Sequence, residues 1–168
     1  MSATSNTAIA NNIEKAESFI RQLSGNIIQI VESDTSLQER QKNLTALLEQ
    51  NASIRTISRA ALGPKWRSLD EGTKLAFSDA FKTYLVRKYG NQFDDFRGAK
   101  MVLERSIDVG KRGILVKTRF IMPGTSPISV KWQVWQHNAA LELIDIIIED
   151  ISMLTMEREE IKNRLLSN

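Results

Sequence analysis

The segment LELIDIIIEDISML, from Leu141 to Leu154, carries apolar side chains at most of its positions. Because side chains alternate between the two faces of a β-strand, a strand over this segment would be apolar on both faces. One face would carry Leu141, Leu143, Ile147 and Ile151, and the other would carry Ile144, Ile146 and Ile148. A sheet covered on one side needs an apolar surface on that side only. The segment therefore predicts a buried strand and raises the question of what covers its second face.

Three segments before it have a similar strand pattern, rich in Val, Ile, Phe and Trp. The four predicted strands are Lys100 to Val109, Arg112 to Met122, Ile128 to His137 and Leu141 to Asp150. The turns between them are too short for a crossover helix, so we expect a four-stranded antiparallel meander. Each middle strand has one clean apolar face, formed by Ile114, Val116, Phe120, Met122, Val130, Trp132 and Val134. A central fourth strand with partial cover on its back would explain the opening segment without a ligand.

The first half of the chain has apolar residues at helical spacing. It predicts helices over Ile9 to Val31, after Ser36, over Ser53 to Leu62 and over Leu69 to Tyr89. The sequences SLQE at 36–39 and SLDE at 68–71 are capping boxes for the second and fourth helices, and Gly90 should end the fourth. Helices followed by a meander define an α+β fold. We expect one domain over residues 1–168, with a helical half at about 7–97, a sheet half at about 100–150 and a polar C-terminal helix at about 155–166.

Composition and charge exclude several classes of protein. The 168 residues are 42% hydrophobic, and no run approaches the roughly 18 to 20 apolar residues of a spanning helix. The net charge of +3 does not resemble the concentrated basic patch of a nucleic-acid-binding protein. The absence of Cys excludes disulfides and thiolate metal sites. The start, MSATSNTAIANN, lacks the regions of an export signal, which suits a cytosolic protein or the mature form of an exported one.

The sequence contains no recognisable catalytic motif. Its one His, His137, lies beside a predicted turn, and there is no G-x-S-x-G elbow, dinucleotide-binding glycine motif, Walker loop or H-E-x-x-H motif. The adjacent carboxylates at 94–95 and 149–150 should diverge on regular elements rather than converge on a metal. We therefore expect no catalytic residue, no metal and no cofactor.

Asp145 is an acidic residue within the apolar fourth strand. If it is partly buried, it needs a partner such as Arg119 or Lys131. The structural interpretation is an ion pair or a hydrogen bond to a loop. The catalytic interpretation is a general base with a raised pKa, as in cone-shaped isomerase folds.

Four basic residues surround the third helix and its exit: Arg55, Arg59, Lys65 and Arg67. They suit the binding of phosphate or lipid headgroups, and equally a solvated helix flank. Lys131, Trp132 and Trp135 only faintly resemble the stacking platform of a nucleic-acid-binding protein, because Trp132 lies on the predicted apolar face.

The order of motifs resembles the MlaC family, also called the toluene-tolerance or auxiliary phospholipid-binding family. Its members have a Leu-rich helix, a short helix ending in Leu-Gly, then Trp-Arg, and a long helix with spaced Phe residues before Leu-Val-Arg-x-Tyr. The matching residues here are Leu62, Gly63, Trp66, Arg67, Phe77, Phe81, Leu85, Val86, Arg87 and Tyr89. In the sheet half, PISVKWQVW matches a proline-led strand, and IDIIIEDISML is similar to Tyr-Asp-Val-x-x-Glu-Gly-Val-Ser-Leu. The carried positions there are Asp145, Glu149, Ile151 and Ser152, and the resemblance runs from about Leu44 to Leu166.

Three features depart from the family pattern. Asp150 stands where the family often has Gly, and the strand start LELID lacks the usual Trp. The sequence also stops at RLLSN, where relatives usually continue into another short helix, so a lid element is expected to be missing.

The resemblance implies a non-catalytic, monomeric carrier in the periplasm of Gram-negative bacteria. Such carriers move phospholipid, or hopanoid in a sister branch, between an outer-membrane lipoprotein complex and an inner-membrane ABC transporter with an MCE-domain subunit. Acyl chains would lie in an apolar cavity between a curved sheet and the helices. Lipid tails would then cover one apolar face of the fourth strand, which would explain in part why both of its faces are apolar.

With this resemblance, one set of apolar residues is expected to bind lipid, although each member also suits an ordinary core. The set is Ile57, Leu62, Trp66, Phe77, Phe81, Leu85, Val116, Phe120, Val130, Trp132, Val134, Ile146 and Ile148. Lys65, Arg67, Arg87 and Arg97 are candidates for docking to the membrane complexes. Two other functions stay open: a cone-shaped α+β small-ligand binder or isomerase-like enzyme that uses Asp145, and an interaction module that uses the back of the sheet.

Overall fold

The computed structural model describes residues 3–167, so Met1, Ser2 and Asn168, at the ends of the expected domain, lie outside the described residues. Within this range the α-helices are Ala3–Glu32 (α1), Leu37–Asn51 (α2), Ile54–Leu62 (α3), Glu71–Gly90 (α4) and Met153–Leu166 (α5). The strands are Lys100–Asp108 (β1), Ile114–Ile121 (β2), Ile128–His137 (β3), Ala140–Ile148 (β4) and Ile151–Ser152 (β5). They form one antiparallel sheet in chain order, β1-β2-β3-β4-β5. The expected α+β meander is confirmed, with a two-residue fifth strand that we did not predict.

Side-chain caps explain where two of the helices begin. Ser36 caps α2 as predicted, since its Oγ accepts a hydrogen bond from the Glu39 backbone N–H at 3.1 Å. The predicted cap of α4 is wrong: Asp70, not Ser68, accepts from the Thr73 backbone N–H, at 2.9 Å. Ser68 instead donates to the Lys65 carbonyl in the preceding 3₁₀ turn. Asp and Ser are equally favourable N-cap residues, so the sequence offers two possible caps for α4. The helix begins after the later one, Asp70.

A β-bulge in β4 decides which of its side chains face the helices. The pairs around it are Val134–Leu143, Gln133–Asp145, Trp132–Ile146 and Val130–Ile148. Ile144 is therefore an extra residue, and the alternation of faces shifts by one position after it. As a result Leu143, Ile146 and Ile148 share the inner face, while Ile147 pairs with Lys131 on the outer face. The two faces predicted for residues 141–154 are therefore wrong, because strict alternation makes no allowance for the extra residue of a bulge.

The inner face of the sheet forms the core together with α1. Its most buried members are Ile114, Val116, Thr118, Phe120, Val130, Trp132, Val134 and Leu143. The α1 residues Ala16, Ile20 and Leu23 belong to the same core cluster. Thr118, the polar member, is satisfied: its Oγ1 donates to the Val130 carbonyl at 2.8 Å and accepts from Trp132 Nε1 at 2.9 Å.

The outer face of the sheet is a mixture of exposed apolar and charged side chains. Val102, Ile107 and Ile121 are each about two-fifths exposed. Glu104 pairs with Lys117 and Arg119 between them. The outer face is therefore mixed, in contrast to the apolar inner face of the same strands.

Positive φ angles at Asp150 and Gly113 have local explanations. Asp150 has φ 65° in the turn between β4 and β5, where the family pattern has Gly. Asp is one of the few other residues that adopt this conformation readily, and here Lys131 donates to its Oδ1 at 2.6 Å. Gly113, before β2, has φ 93°, and a Cβ there would lie 2.1 Å from the Val134 carbonyl oxygen. Only Gly permits this close approach of the turn to β3.

Candidate functional site

An apolar cavity of about 130 Å³, here the main cavity, lies between β4 and the helices. β4 contributes Leu143, Ile144 and Ile146; α1 contributes Leu23 and Ile27; α2 contributes Leu44, Leu47 and Leu48; α4 contributes Phe81, Leu85 and Val86; α5 contributes Met153 and Leu154. A small cavity of about 40 Å³ adjoins it. Ile27, Tyr89, Phe93, Ile146 and Met153 line both. The two cavities therefore follow the inner face of β4 towards the centre of the sheet.

The spacing of apolar residues along the sequence explains how the walls of the main cavity form. The apolar residues of α2 and α4 recur at three and four positions, which places them on one side of each helix. The bulge at Ile144 lets four consecutive β4 residues, from Leu143 to Ile146, line the main cavity. The apolar residues of segment 141–154 therefore line a cavity as well as packing in the core of the sheet.

The structure separates the predicted lipid-binding residues into three groups. Ile57, Phe81, Leu85 and Ile146 line the main cavity. Phe120, Val130, Trp132, Ile146 and Ile148 line the small cavity. Leu62, Trp66, Phe77, Val116 and Val134 line neither of them. Val116 and Val134 are almost fully buried and belong to the core cluster that includes α1.

Trp66 and Phe77 belong to an aromatic cluster beside the cavities. The Trp66 ring meets Phe77 edge-on at 6.4 Å, and Phe77 stacks on Phe81 at 5.6 Å between ring centroids. The cations of Arg55 and Lys74 lie 5.4 and 5.8 Å from the centre of the Trp66 ring. In this cluster, Phe81 is the member that reaches the main cavity.

The basic residues near α3 and the docking candidates lie on the surface. Arg55 is paired with Glu71 at 2.8 Å, while Arg59, Lys65 and Arg67 are exposed. Arg87, in the last turn of α4, is also exposed.

Arg97, after α4, is exposed with its Nε 3.8 Å from Asp94 Oδ1. Lys65, Arg67, Arg87 and Arg97 are therefore all exposed, and their role in docking stays a prediction.

Asp145 is partly buried, but its partners differ from those expected. Its Oδ2 accepts from the Ser152 hydroxyl at 2.5 Å, and its Oδ1 accepts from the backbone N–H groups of Leu154 and Ile146 at 3.1 and 2.9 Å. The expected pairing with Arg119 or Lys131 is wrong, because Arg119 pairs with Glu104 and Lys131 with Asp150.

These hydrogen bonds tie β4 to the start of α5. Burial raises the pKa of Asp145, and the hydrogen bonds from Ser152 and the backbone oppose that rise. Ser152 also caps α5 by accepting from the Thr155 backbone N–H at 3.0 Å. The geometry therefore gives Asp145 a structural role as an acceptor at a helix N-terminus.

The difference in free energy of unfolding between Asp145→Asn and the unsubstituted protein should move in favour of the variant as the pH rises from about 4 to about 7. The pKa of Asp145 is raised from 3.8 in the folded protein, so the folded state binds this proton more tightly than the unfolded state. Its contribution to the free energy of unfolding therefore falls with pH above the unfolded pKa, and Asn removes that fall. Urea unfolding at several pH values measures the difference.

Asp150→Asn is the matched control, because Lys131 lowers the pKa of Asp150. That carboxylate contributes stability that is complete above its unfolded pKa of about 4 and is lost as the pH falls below it, so this variant should show no rise in relative stability between about pH 4 and 7. Asn also accepts the positive φ at position 150. The same pH trend for both substitutions would contradict the assignment.

A buried polar cluster, which the sequence analysis missed, also borders the main cavity. Glu157 of α5 is 1% exposed, and its Oε1 accepts from Lys88 Nζ at 2.6 Å and from the Tyr89 hydroxyl. Lys88 Nζ also donates to Glu160 Oε2 at 2.8 Å, and Arg164 donates to Glu160 Oε1 at 2.7 Å. These five residues, the α4–α5 cluster, join the two helices beside the cavity.

The pKa values of three members of the cluster, Glu160, Lys88 and Tyr89, are shifted by their neighbours and by burial. The hydrogen bonds from Lys88 and Arg164 lower the pKa of Glu160 to about 2. Burial lowers the pKa of Lys88, but its hydrogen bonds to Glu157 and Glu160 outweigh that effect and raise it above its usual value. Burial raises the pKa of Tyr89, as does its bond to Glu157, so the phenol stays protonated and donates.

The fold and the site together define an α+β protein that encloses an apolar cavity between its sheet and its helices. The model of the MlaC protein family matches residues 21–168, which include every residue that lines either cavity. The chain belongs to the MlaC family, and the resemblance inferred from its motifs is confirmed.

A solved structure with a similar fold is that of a phospholipid-binding protein from Ralstonia solanacearum, in complex with a phospholipid. The two align with a TM-score of 0.77 and 14% sequence identity over 87% of this chain and 84% of that chain. At this identity the likeness establishes the fold. A search of the curated proteins finds no match. No α-helix within residues 3–167 is long and apolar enough to cross a membrane.

Proposed function

We propose that this protein is a non-catalytic, monomeric lipid carrier of the periplasm. It would bind the acyl chains of phospholipid, or of hopanoid, and move them between an outer-membrane lipoprotein complex and an inner-membrane ABC transporter with an MCE-domain subunit. The observation that carries the proposal is the main cavity, whose lining is apolar except for Asn51, Asp145, Glu157 and the Tyr89 hydroxyl. Membership of the MlaC family and the phospholipid complex of the Ralstonia protein support it.

The size of the main cavity limits how a lipid chain can enter the protein. An apolar cavity of about 150 Å³ in another protein holds one benzene molecule. The 130 Å³ of the main cavity is therefore too small for an acyl chain of about fourteen methylenes. The helices around it must move apart when a chain enters, and the small cavity marks the direction along β4 in which the space would extend.

The energetics suit a carrier that must also release its cargo. Burying about fourteen methylenes is worth on the order of 11 kcal/mol relative to water. A lipid in a bilayer already has this burial, so transfer into an equally apolar cavity is close to neutral. Few polar contacts to the headgroup are needed for such an exchange.

Residue roles follow from position in the proposed carrier. Eight of the predicted lining residues would contact lipid directly: Ile57, Phe81, Leu85, Phe120, Val130, Trp132, Ile146 and Ile148. The other five, Leu62, Trp66, Phe77, Val116 and Val134, would act through packing or line the cavity after it expands. The exposed cations Lys65, Arg67, Arg87 and Arg97 would dock to the membrane complexes.

The alternative of an isomerase-like enzyme would use Asp145, which lines the main cavity and has a raised pKa. Both of its carboxylate oxygens already accept hydrogen bonds from Ser152, Leu154 and Ile146. A general base needs a free oxygen within reach of the substrate proton, so this geometry favours the carrier.

Purification from bacterial cells without detergent should yield a protein with one co-purifying lipid. Native mass spectrometry would give the mass of the adduct, and extraction from the same sample would identify it as phospholipid or hopanoid. Uptake of labelled lipid from vesicles tests a sample that has already released its cargo. A protein without an adduct that also takes no lipid from vesicles contradicts the proposal.

A further inference from the structure

Glu157 lines the main cavity and, among the described residues, keeps one carboxylate oxygen without a hydrogen-bond partner. The residue lines that cavity and is 1% exposed. Its Oε1 accepts from Lys88 and Tyr89, whereas its Oε2 is buried and has no hydrogen-bond partner among residues 3–167. Buried polar atoms are nearly always paired, so an acceptor left open beside a ligand cavity is suited to a donor carried by the ligand.

The charges around Glu157 define which donor fits. The α4–α5 cluster contains two cations, Lys88 and Arg164, and two carboxylates, Glu157 and Glu160. It is therefore neutral as a whole, and it does not need the positive charge of an ammonium headgroup. An anionic phosphate or a fatty-acid carboxylate would meet the open carboxylate oxygen and be repelled. The remaining common donor on a lipid is a neutral hydroxyl.

We propose that Oε2 of Glu157 accepts a hydrogen bond from a hydroxyl group of the bound lipid. This inference rests on the proposed carrier function and names the chemistry that its cavity selects. The hydroxyl can belong to the glycerol backbone or to a hydroxylated chain, since both are neutral donors attached to apolar groups. Phosphate and ammonium groups would lie away from α5.

Two pairs of lipids that differ only in the donor test the proposal and distinguish the two sources. The first pair is a lysophosphatidylcholine with a free glycerol hydroxyl and its O-methyl ether. The second is a phosphatidylcholine with a 12-hydroxystearoyl chain and its 12-methoxy analogue. Dissociation constants come from the change in intrinsic tryptophan fluorescence, to which Trp132 contributes from the lining of the small cavity.

The protein should bind the hydroxyl member of at least one pair about tenfold more tightly, the effect of one hydrogen bond to a charged acceptor. A preference in the first pair assigns the glycerol hydroxyl, and a preference in the second assigns the chain hydroxyl. Equal binding within both pairs overturns the inference while the carrier function stands. Absence of binding to all four lipids overturns both.

Glu157→Gln separates hydrogen bonding from the extra bulk of the methyl group. The amide oxygen can accept from Lys88 and Tyr89, which leaves the amide NH₂ towards the open side. That group donates equally to a hydroxyl and to an ether oxygen, so the preference should disappear. Glu160→Gln is the matched control, because Glu160 is in the same cluster but does not line the cavity, and it should keep the preference. A preference that survives Glu157→Gln is steric and overturns the assignment.

Discussion

Ile146→Trp should reduce lipid uptake at least about tenfold while the protein stays folded. Ile146 lines both the main and the small cavity, so a larger side chain there occupies the space that joins them. Overpacking a well-filled core costs about 1–3 kcal/mol, and adjacent free volume keeps the cost at the lower end. Uptake of labelled phospholipid from vesicles measures the loss, and thermal unfolding measures the cost in stability.

Ile121→Trp is the control for this substitution. It is the same change on a strand of the same sheet, but Ile121 is 43% exposed and lies on the outer face. A carrier that binds lipid between the sheet and the helices should keep normal uptake in this variant. If Ile121→Trp lost uptake and Ile146→Trp kept it, the lipid would bind the outer face instead, which was the surface expected for an interaction module.

The helices and strands follow from local signals that are strong in this sequence. The stripe of α1, with Ala16, Ile20 and Leu23, was predicted from helical spacing and forms part of the core. The boundaries of β3, Ile128 and His137, were predicted because Pro127 and the turn HNAA flank a strongly alternating strand. β1 also has an irregularity, between Leu103 and Arg105, but the faces were assigned wrongly in β4. A bulge there leaves no clear mark in a run of Leu and Ile, since either register would bury apolar side chains.

The site was harder to predict because a cavity is a property of packing between elements. Val116 and Phe120 have the same pattern in β2, yet Phe120 lines the small cavity and Val116 is fully buried. Only the position of the helices above the sheet distinguishes them. The resemblance to a family identified the kind of cavity, and the structure located it near Leu44 and Leu48 of α2, which were not among the predicted lipid-binding residues.

Glu157 had a signal that the sequence analysis did not use. It lies on the stripe of α5 that also carries Met153, Leu154 and Ile161, at the three- and four-residue spacing of a buried face. A charged residue on such a stripe needs a partner from another element. Lys88 and Tyr89 fill this role from α4, nearly seventy residues earlier in the chain. No local pattern connects positions so far apart.

Lys88→Met should destabilise the protein by about 3 kcal/mol, because it leaves the buried carboxylate of Glu157 without its charge partner. Glu157 is 2% exposed at its side chain, and Lys88 Nζ lies 2.6 Å from its Oε1. Met keeps most of the apolar stem of Lys, so the loss reflects the charge rather than packing. The free energy of unfolding in urea at neutral pH measures the effect.

Lys162→Met provides the comparison, since Lys162 lies 3.8 Å from Glu159 and both side chains are more than half exposed. An exposed pair of this kind contributes close to nothing, so its removal should change stability by less than about 0.5 kcal/mol. Adding Glu157→Gln to Lys88→Met should recover part of the loss, because the uncompensated charge is then removed. Equal effects of the two Lys substitutions, or a double variant less stable than Lys88→Met alone, would contradict the buried ion pair. Because the cluster joins α4 to α5 beside the main cavity, a weakened pair should also lower the cost of separating these helices and speed lipid exchange with vesicles.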